Sequence, residues 1–359
     1  MQVQKIVDNT LKMISPASFD IAIEMQTLWD KLAHPPGSLG EMELMTVKLA
    51  SIQNTVKPSA EKKAVVVFAA DNGVFEEGVT SQPQITTFLI AESMVNSKTG
   101  LGVISKFAKN EIFVYDVGLI KTSTNSKIIN KKLREATNNI AKEPAMSREE
   151  CLKLISIGID VAQNMSQEGY KLVGAGELGI CNTTTTAAVL SAVADVSPTV
   201  TVGKGASTTK AMREKKIKAV EKAIKINSPD ANDPIDCIAK VGGFDIAAMC
   251  GFYIGCAAYK LPCVIDGYIS TVAALCAIKL NPICKDYFFA SHSSAEQGAV
   301  IASELTGLSP VLNMKMRLGE GTGCPLLFNL IDASLFTFYN MGKFSDTKID
   351  ENDLIDLRN

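Results

Sequence analysis

The chain has 359 residues, 47% of them hydrophobic, with 36 basic residues against 38 acidic ones and a formal net charge of −2. That length buries a large core, and the charge balance lacks the strongly basic face that nucleic-acid binding requires. No apolar run reaches the ~18 residues of a membrane span, and the presence of only two histidines argues against a histidine-built zinc site.

Residues 1–60 read as helical. Ile21, Ile23, Met25 and Leu28 lie on a polar background, and Leu44, Val47, Leu49 and Ile52 follow the break His34-Pro35-Pro36-Gly37-Ser38-Leu39-Gly40. Prolines and glycines so placed end one helix and fix the turn into the next.

From residue 63 short β-branched runs ending in Gly or Asp alternate with helical stretches. The runs are 64–68 into Asp71-Asn72-Gly73, 112–115 into Asp116-Val117-Gly118, 171–173 into Gly174, 200–202 into Gly203, and 262–265 into Asp266-Gly267. Continuous apolar runs of about 4–5 residues suit strands buried on both faces. Between them, Thr209 to Ile226 carries a Lys/Glu helical period, and helix returns after Leu326 to about Met341 before a polar tail expected to fray. The expected class is α/β, a Rossmann-like doubly wound, mainly parallel sheet over residues 61–325. Helices from 1–60 and 326–359 would form a smaller domain beside it. In such a sheet ligands sit beyond the carboxyl ends of the strands, where these Asp- and Gly-rich exits gather.

Nine cysteines run from Cys151 to Cys324 without a CxxC pair. This pattern, with no N-terminal signal pattern, suits reduced, buried thiols in a cytoplasmic protein.

Gly174-Ala175-Gly176-Glu177-Leu178-Gly179 matches G-x-G-x-x-G, with Asp195 near the distance of a ribose-binding acid. As a dinucleotide fingerprint it is flawed, because Asp195 precedes the next strand instead of closing it. The hydroxyl run Thr183 to Thr186 that follows suits an anion at a helix start, or simple N-cap threonines.

The sharpest segment is Arg317-Leu318-Gly319-Glu320-Gly321-Thr322-Gly323, where three glycines bracket one carboxylate. Such a loop lets backbone approach a ligand while holding Glu320; a glycine turn with a solvated Glu is the plain alternative. Ala290 to Glu296 ends an apolar run with hydroxyls and His292, by default a satisfied histidine. Val202-Gly203-Lys204-Gly205 offers a lysine for phosphate without the spacing of a nucleoside-triphosphate loop.

Together, HPPGSLG (34–40), AADNGVFEEGV (69–79), GAGELGICNTTTTAA (174–188), VGKG (202–205), KVGGFDIAAMCG (240–251), VIDGYISTVAAL (264–275), ASHSSAEQG (290–298) and MRLGEGTG (316–323) resemble the nicotinate-nucleotide:dimethylbenzimidazole phosphoribosyltransferase family, in one order through almost the whole chain. The resemblance implies transfer of 5-phosphoribose from nicotinate mononucleotide to an aromatic base, with inversion from β to α and no metal or other cofactor. It implies Glu320 as general base and Glu177 in the nucleotide site. Gly176, Leu178, Gly179, Thr183, Gly203, Lys216, Ser291 and Gly319 would line the phosphoribose pocket, with Lys210, Arg213 and Lys215 as rivals to Lys216. Gln82, Ile90, Met316 and Leu318 would shape the base pocket. A dimer is implied, of identical or homologous subunits.

Three positions depart from the family pattern. Asn72 stands where many relatives carry His, which removes a titratable ring. Gln82 replaces a small hydroxyl and Ile90 a Gln, which suggests an altered acceptor. Some relatives accept phenols as heterodimers with one silent subunit, and this chain could be either partner of such a pair.

Overall fold

The computed structural model describes residues 2–203, 205, 209–348 and 355–358. Lys204 and residues 349–354 and 359 of the polar tail lie outside the described residues.

Three helices open the chain, α1 (Gln2–Met13), α2 (Phe19–Trp29) and α3 (Glu41–Gln53). Six strands follow: β1 (Lys63–Ala70), β2 (Glu111–Gly118), β3 (Ile128–Asn130), β4 (Leu172–Leu178), β5 (Cys263–Ile265) and β6 (Phe288–Ala290). They form one sheet in the order β3-β2-β1-β4-β5-β6, every pair parallel. All eight residues of β1 are buried, as its unbroken apolar run requires in a sheet covered on both faces. The strand order reverses between β1 and β4, so the crevice beyond their carboxyl ends is where a ligand belongs.

Helices α4 (Thr86–Met94), α5 (Gly100–Ala108), α6 (Arg148–Gln167) and α7 (Asn182–Ala194) carry the chain between strands. A single turn, α8 (Pro198–Thr201), then precedes α9 (Lys210–Asn227), α10 (Pro234–Val241), α11 (Phe244–Ala258), α12 (Tyr268–Leu280), α13 (Gln297–Thr306) and α14 (Gly323–Asn340). Helix α6 starts on a full capping box, Ser147 with Glu150. A small second cluster of Met25, Trp29, Leu32 and Ala50, with Phe338 and Met341 against it, joins α2 and α3 to the end of α14. Helix α1 packs on α6 and α11, and α14 also packs on β1, β4 and β5. Among the described residues no helix is long and apolar enough to cross a membrane.

The expected strand at 200–202 is corrected: those residues belong to α8 and the residue after it. Ser197 accepts from Thr199 N–H and Pro198 occupies the first turn, so a capping serine and a proline override three β-branched residues. The glycines of the 174–179 segment are corrected as well. Gly174 and Gly176 lie within β4, which runs on to Leu178 where the strand was expected to end at Gly174. Strands β3 and β6, three residues each, gave no periodic signal of their own.

Candidate active site

Glu320 sits on a backbone that ordinary residues avoid. Gly319, Glu320 and Gly321 have φ of 77°, 63° and 85°, three left-handed residues in succession. Only glycine takes this conformation freely, so the flanking glycines let the one carboxylate bear the strain. The loop lies directly on β4. A Cβ at Gly176 would stand 2.6 Å from the Glu320 carbonyl oxygen, so that strand position must be glycine.

Asp266, where the chain leaves β5, fastens this loop. Its Oδ2 accepts from Gly321 N–H at 2.9 Å and its Oδ1 from Gly323 N–H at 2.7 Å. Glu177, near the end of β4, completes the hold: its Oε1 accepts from Glu320 N–H at 3.2 Å. Both catalytic candidates are buried. Burial, aided by the charge of Asp266, pushes the Glu320 carboxyl up to about 7. Burial, then the charge of Asp245, pushes Glu177 up to about 8.

The first turn of α7 faces the same cavity. Its N-cap is Cys181, in a left-handed conformation and without a side-chain cap, so the N-cap-threonine reading is set aside. Thr184, Thr185 and Thr186 are fully buried, whereas Thr183 lines the cavity and accepts from Lys216 Nζ at 3.1 Å. Burial lowers the pKa of Lys216. A helix N-terminus beside a lysine and a hydroxyl is a ready anion site. Arg213 is committed elsewhere, to Val202 O, Thr199 O and Gln297. Asp195 lies at the far end of α7 from the cavity, which removes the dinucleotide reading.

The structure gathers Glu320, Glu177, Leu178, Gly179, Thr183, Lys216, Gly319, Gln82, Ile90 and Leu318 around one cavity. Four expected residues are not among those that line it. Gly176 supports the Glu320 loop, and Gly203 lies against the Glu296 carboxylate. Ser291 is buried and donates to Asp266 O at 3.1 Å. Met316 is tied down through its carbonyl, which accepts from Ala295 N–H. Asn72 is buried and donates to Ile180 O.

His292 is buried, lines the cavity, and sits 3.0 Å from Ser291 Oγ and 3.7 Å from Asp266 Oδ1. Asp266, Asn182, Tyr268 and Glu296 also line the cavity but were not nominated from the sequence. Asp266 had a signal, a carboxylate at a strand exit; Asn182 had none beyond its place before the threonines. Among the described residues no group of three or more His, Cys, Asp or Glu could hold a metal.

The chain matches a family model described as Phosphoribosyltransferase over residues 14–349. It is 44% identical to the nicotinate-nucleotide–dimethylbenzimidazole phosphoribosyltransferase of Clostridium tetani, covering 99% of each chain. It is 42% identical to that of Acetivibrio thermocellus, covering 95% of this chain and 97% of the relative. The crystal structure of the Thermus thermophilus protein of the same designation superposes with a TM-score of 0.85 at 33% identity, over 91% of this chain and 98% of that one. Fold, loop and full-length identity agree: the chain belongs to the nicotinate-nucleotide–dimethylbenzimidazole phosphoribosyltransferase family.

Proposed function

We propose that the protein transfers 5-phosphoribose from nicotinate mononucleotide to 5,6-dimethylbenzimidazole or a related aromatic base, releasing nicotinate and giving an α-ribotide for a cobamide lower ligand. One observation carries the reading. Glu320, its carboxyl pushed up to about 7, lines one cavity together with Thr183 and Lys216, which suit an anion, and with the apolar side chains of Ile90 and Leu318.

The leaving group is a cationic pyridinium that departs neutral at nitrogen, so positive charge builds on the ribose carbon. Glu177, once ionised, is placed to answer that charge. The incoming azole must lose its N–H proton as its other nitrogen attacks. Glu320 takes that proton, and a base with a pKa close to working pH does so most effectively. Attack from the face opposite the departing pyridine inverts the anomeric carbon. Thr183, Lys216 and the start of α7 hold the phosphate, as do Leu178, Gly179 and Gly319 at the cavity wall; Gly203 and Ser291 support it from behind.

Gln82 and Ile90 replace the small hydroxyl and Gln expected of the family, which favours an acceptor other than the usual one. Glu177 and Glu320 are both in place, which supports an active chain over a silent subunit. The protein acts as a dimer in this reading, homomeric or with a homologous subunit. Support comes from exposed Val103 and Phe107 on α5 and Phe336 on α14, two helices that pack together. Nine buried free thiols support a cytoplasmic location. Segments 1–60 and 326–359 are read as a smaller helical domain beside 61–325, on the strength of the separate cluster around Trp29, although α1 and the start of α14 also join the main core.

The test is to incubate the pure chain with nicotinate mononucleotide and benzimidazole, purine or phenol acceptors, following nicotinate release and ribotide by chromatography. Release with at least one acceptor is expected; none, with or without a homologous partner, refutes the transferase reading.

A further inference from the structure

The acidic wall of the cavity contains an arrangement that the transfer mechanism does not use. Asn182 Nδ2 donates to Glu177 Oε2 and also to Asp245 Oδ2, the latter at 3.2 Å. Two carboxyl groups therefore meet on one amide nitrogen, with Glu177 5% and Asp245 0% exposed.

The other groups facing the pair do not relieve it. Glu320 and Asp266 face Glu177 from the glycine loop and the β5 exit, and Asp71 faces Asp245 from the β1 exit. Lys216 is engaged with Thr183 and answers Cys181 and Glu296, and His292 answers Asp266. No cation among the described residues compensates the pair itself. On the far side of Asp245, Asn72 Oδ1 is buried without a hydrogen-bond partner. A Cβ at Gly243 would lie 2.3 Å from Asp245 Oδ1 and 3.0 Å from Asn72 Oδ1, so these two oxygens bracket one point. Asp245 Oδ1 accepts only from the backbone, Ile246 N–H at 3.0 Å, and Asn72 turns an acceptor rather than a donor toward it, so Asp245 keeps its like charge beside Glu177. Two buried carboxylates without a cation do not both stay ionised.

We propose that Glu177 and Asp245, bridged by Asn182, form an acid pair that holds a proton in the empty site and gives it to solvent when the cationic pyridinium nucleotide binds. The proposal deepens the transferase reading and rests on it. One carboxylic O–H bond breaks, the proton passes to buffer, and the carboxylate left on Glu177 faces the positive ring. The site thus enters the reaction with the negative charge that the ribose carbon will need. Burial raises the pKa of both members, which agrees with this assignment. Asp245 does not line the cavity; it is a positioning residue acting through Asn182.

The experiment is calorimetric titration of the whole chain with nicotinate mononucleotide at pH 7, in two buffers of different ionisation heat. Release of ~0.5–1 proton per site is expected. Ribose 5-phosphate, which has the phosphate without the ring cation, should release close to none. Asp245→Asn removes the like charge, lets Glu177 ionise in the empty site, and should cut the release by at least ~2-fold. No release by the parent chain, equal release with ribose 5-phosphate, or an unchanged count in Asp245→Asn each overturns the proposal. If Asp245→Asn does not fold, the parent's affinity decides. It should rise by about tenfold per pH unit below the pair's pKa and then level; a flat profile sinks the idea. Binding without proton release leaves the transferase reading standing, whereas absence of binding removes both.

Discussion

The backbone N–H of Glu320 donates to Glu177 Oε1 at 3.2 Å, so the two acids of the site are joined through the main chain of one and the side chain of the other. Residues 143 apart in sequence are thereby held together. The contact also separates their tasks. Glu177 is held on both oxygens by protein donors, while Glu320 lines the cavity.

Replacing Glu320 by Gln keeps the shape of the side chain and removes its basicity. Turnover with nicotinate mononucleotide and the best acceptor is expected to fall by ~100-fold or more, the lower range of general-base catalysis. The melting temperature should not fall. Near-normal nicotinate release by Glu320→Gln would take the residue out of the role.

The pH profile follows from the same group. Glu320 must be ionised to accept the azole proton, and burial places its pKa at about 7. With acceptor concentrations corrected for the acceptor's own protonation, kcat/KM should fall about tenfold per unit below pH 7 and level above pH 8. A profile flat from pH 6 to 8 would contradict the assignment.

Gly176→Ala tests whether the loop must rest on β4. The new methyl would lie 2.6 Å from Glu320 O and 2.7 Å from Gly321 N, backbone atoms that cannot swing aside. Overpacking of this kind costs ~1–3 kcal/mol, and a shift of the base by about 1 Å costs on the order of 100-fold in rate. The expected result is a folded, less stable enzyme with kcat strongly reduced. Unchanged kcat would show that the loop has slack.

Glu177 should make the empty protein less stable at higher pH. Its folded pKa, about 8, lies above the ordinary value of 4.5. Its contribution is thus full below about 4.5 and lost as pH rises through about 8. Glu177→Gln removes that dependence. Comparing melting temperatures at pH 5 and pH 8.5, the variant should gain on the parent by at least ~2 °C at the higher pH. An equal difference at both values would mean that Glu177 is ionised throughout.

Much of this was written along the chain. The apolar runs at 64–68, 112–115 and 262–265 became parallel strands of the sheet, because strands buried on both faces exclude most polar residues. The strand exits fell on one edge because every strand runs the same way, and three glycines around Glu320 announced a tight loop holding that carboxylate. Local chemistry misled where a stronger local signal stood beside it. Ser197-Pro198 turned 200–202 into a helix end, and the glycines of 174–179 served as strand positions that another loop lies upon.

What only the tertiary structure decided is which groups face one another. Nothing local in Asp266 shows that both its oxygens would clamp Gly321 and Gly323, and nothing in Asn182 shows that it would bridge Glu177 and Asp245. Periodicity reports how a residue meets the core next to it in the chain. Distances and pKa shifts depend on burial and on charges brought from other elements, and those are fixed only when the sheet closes and its carboxyl edge gathers them.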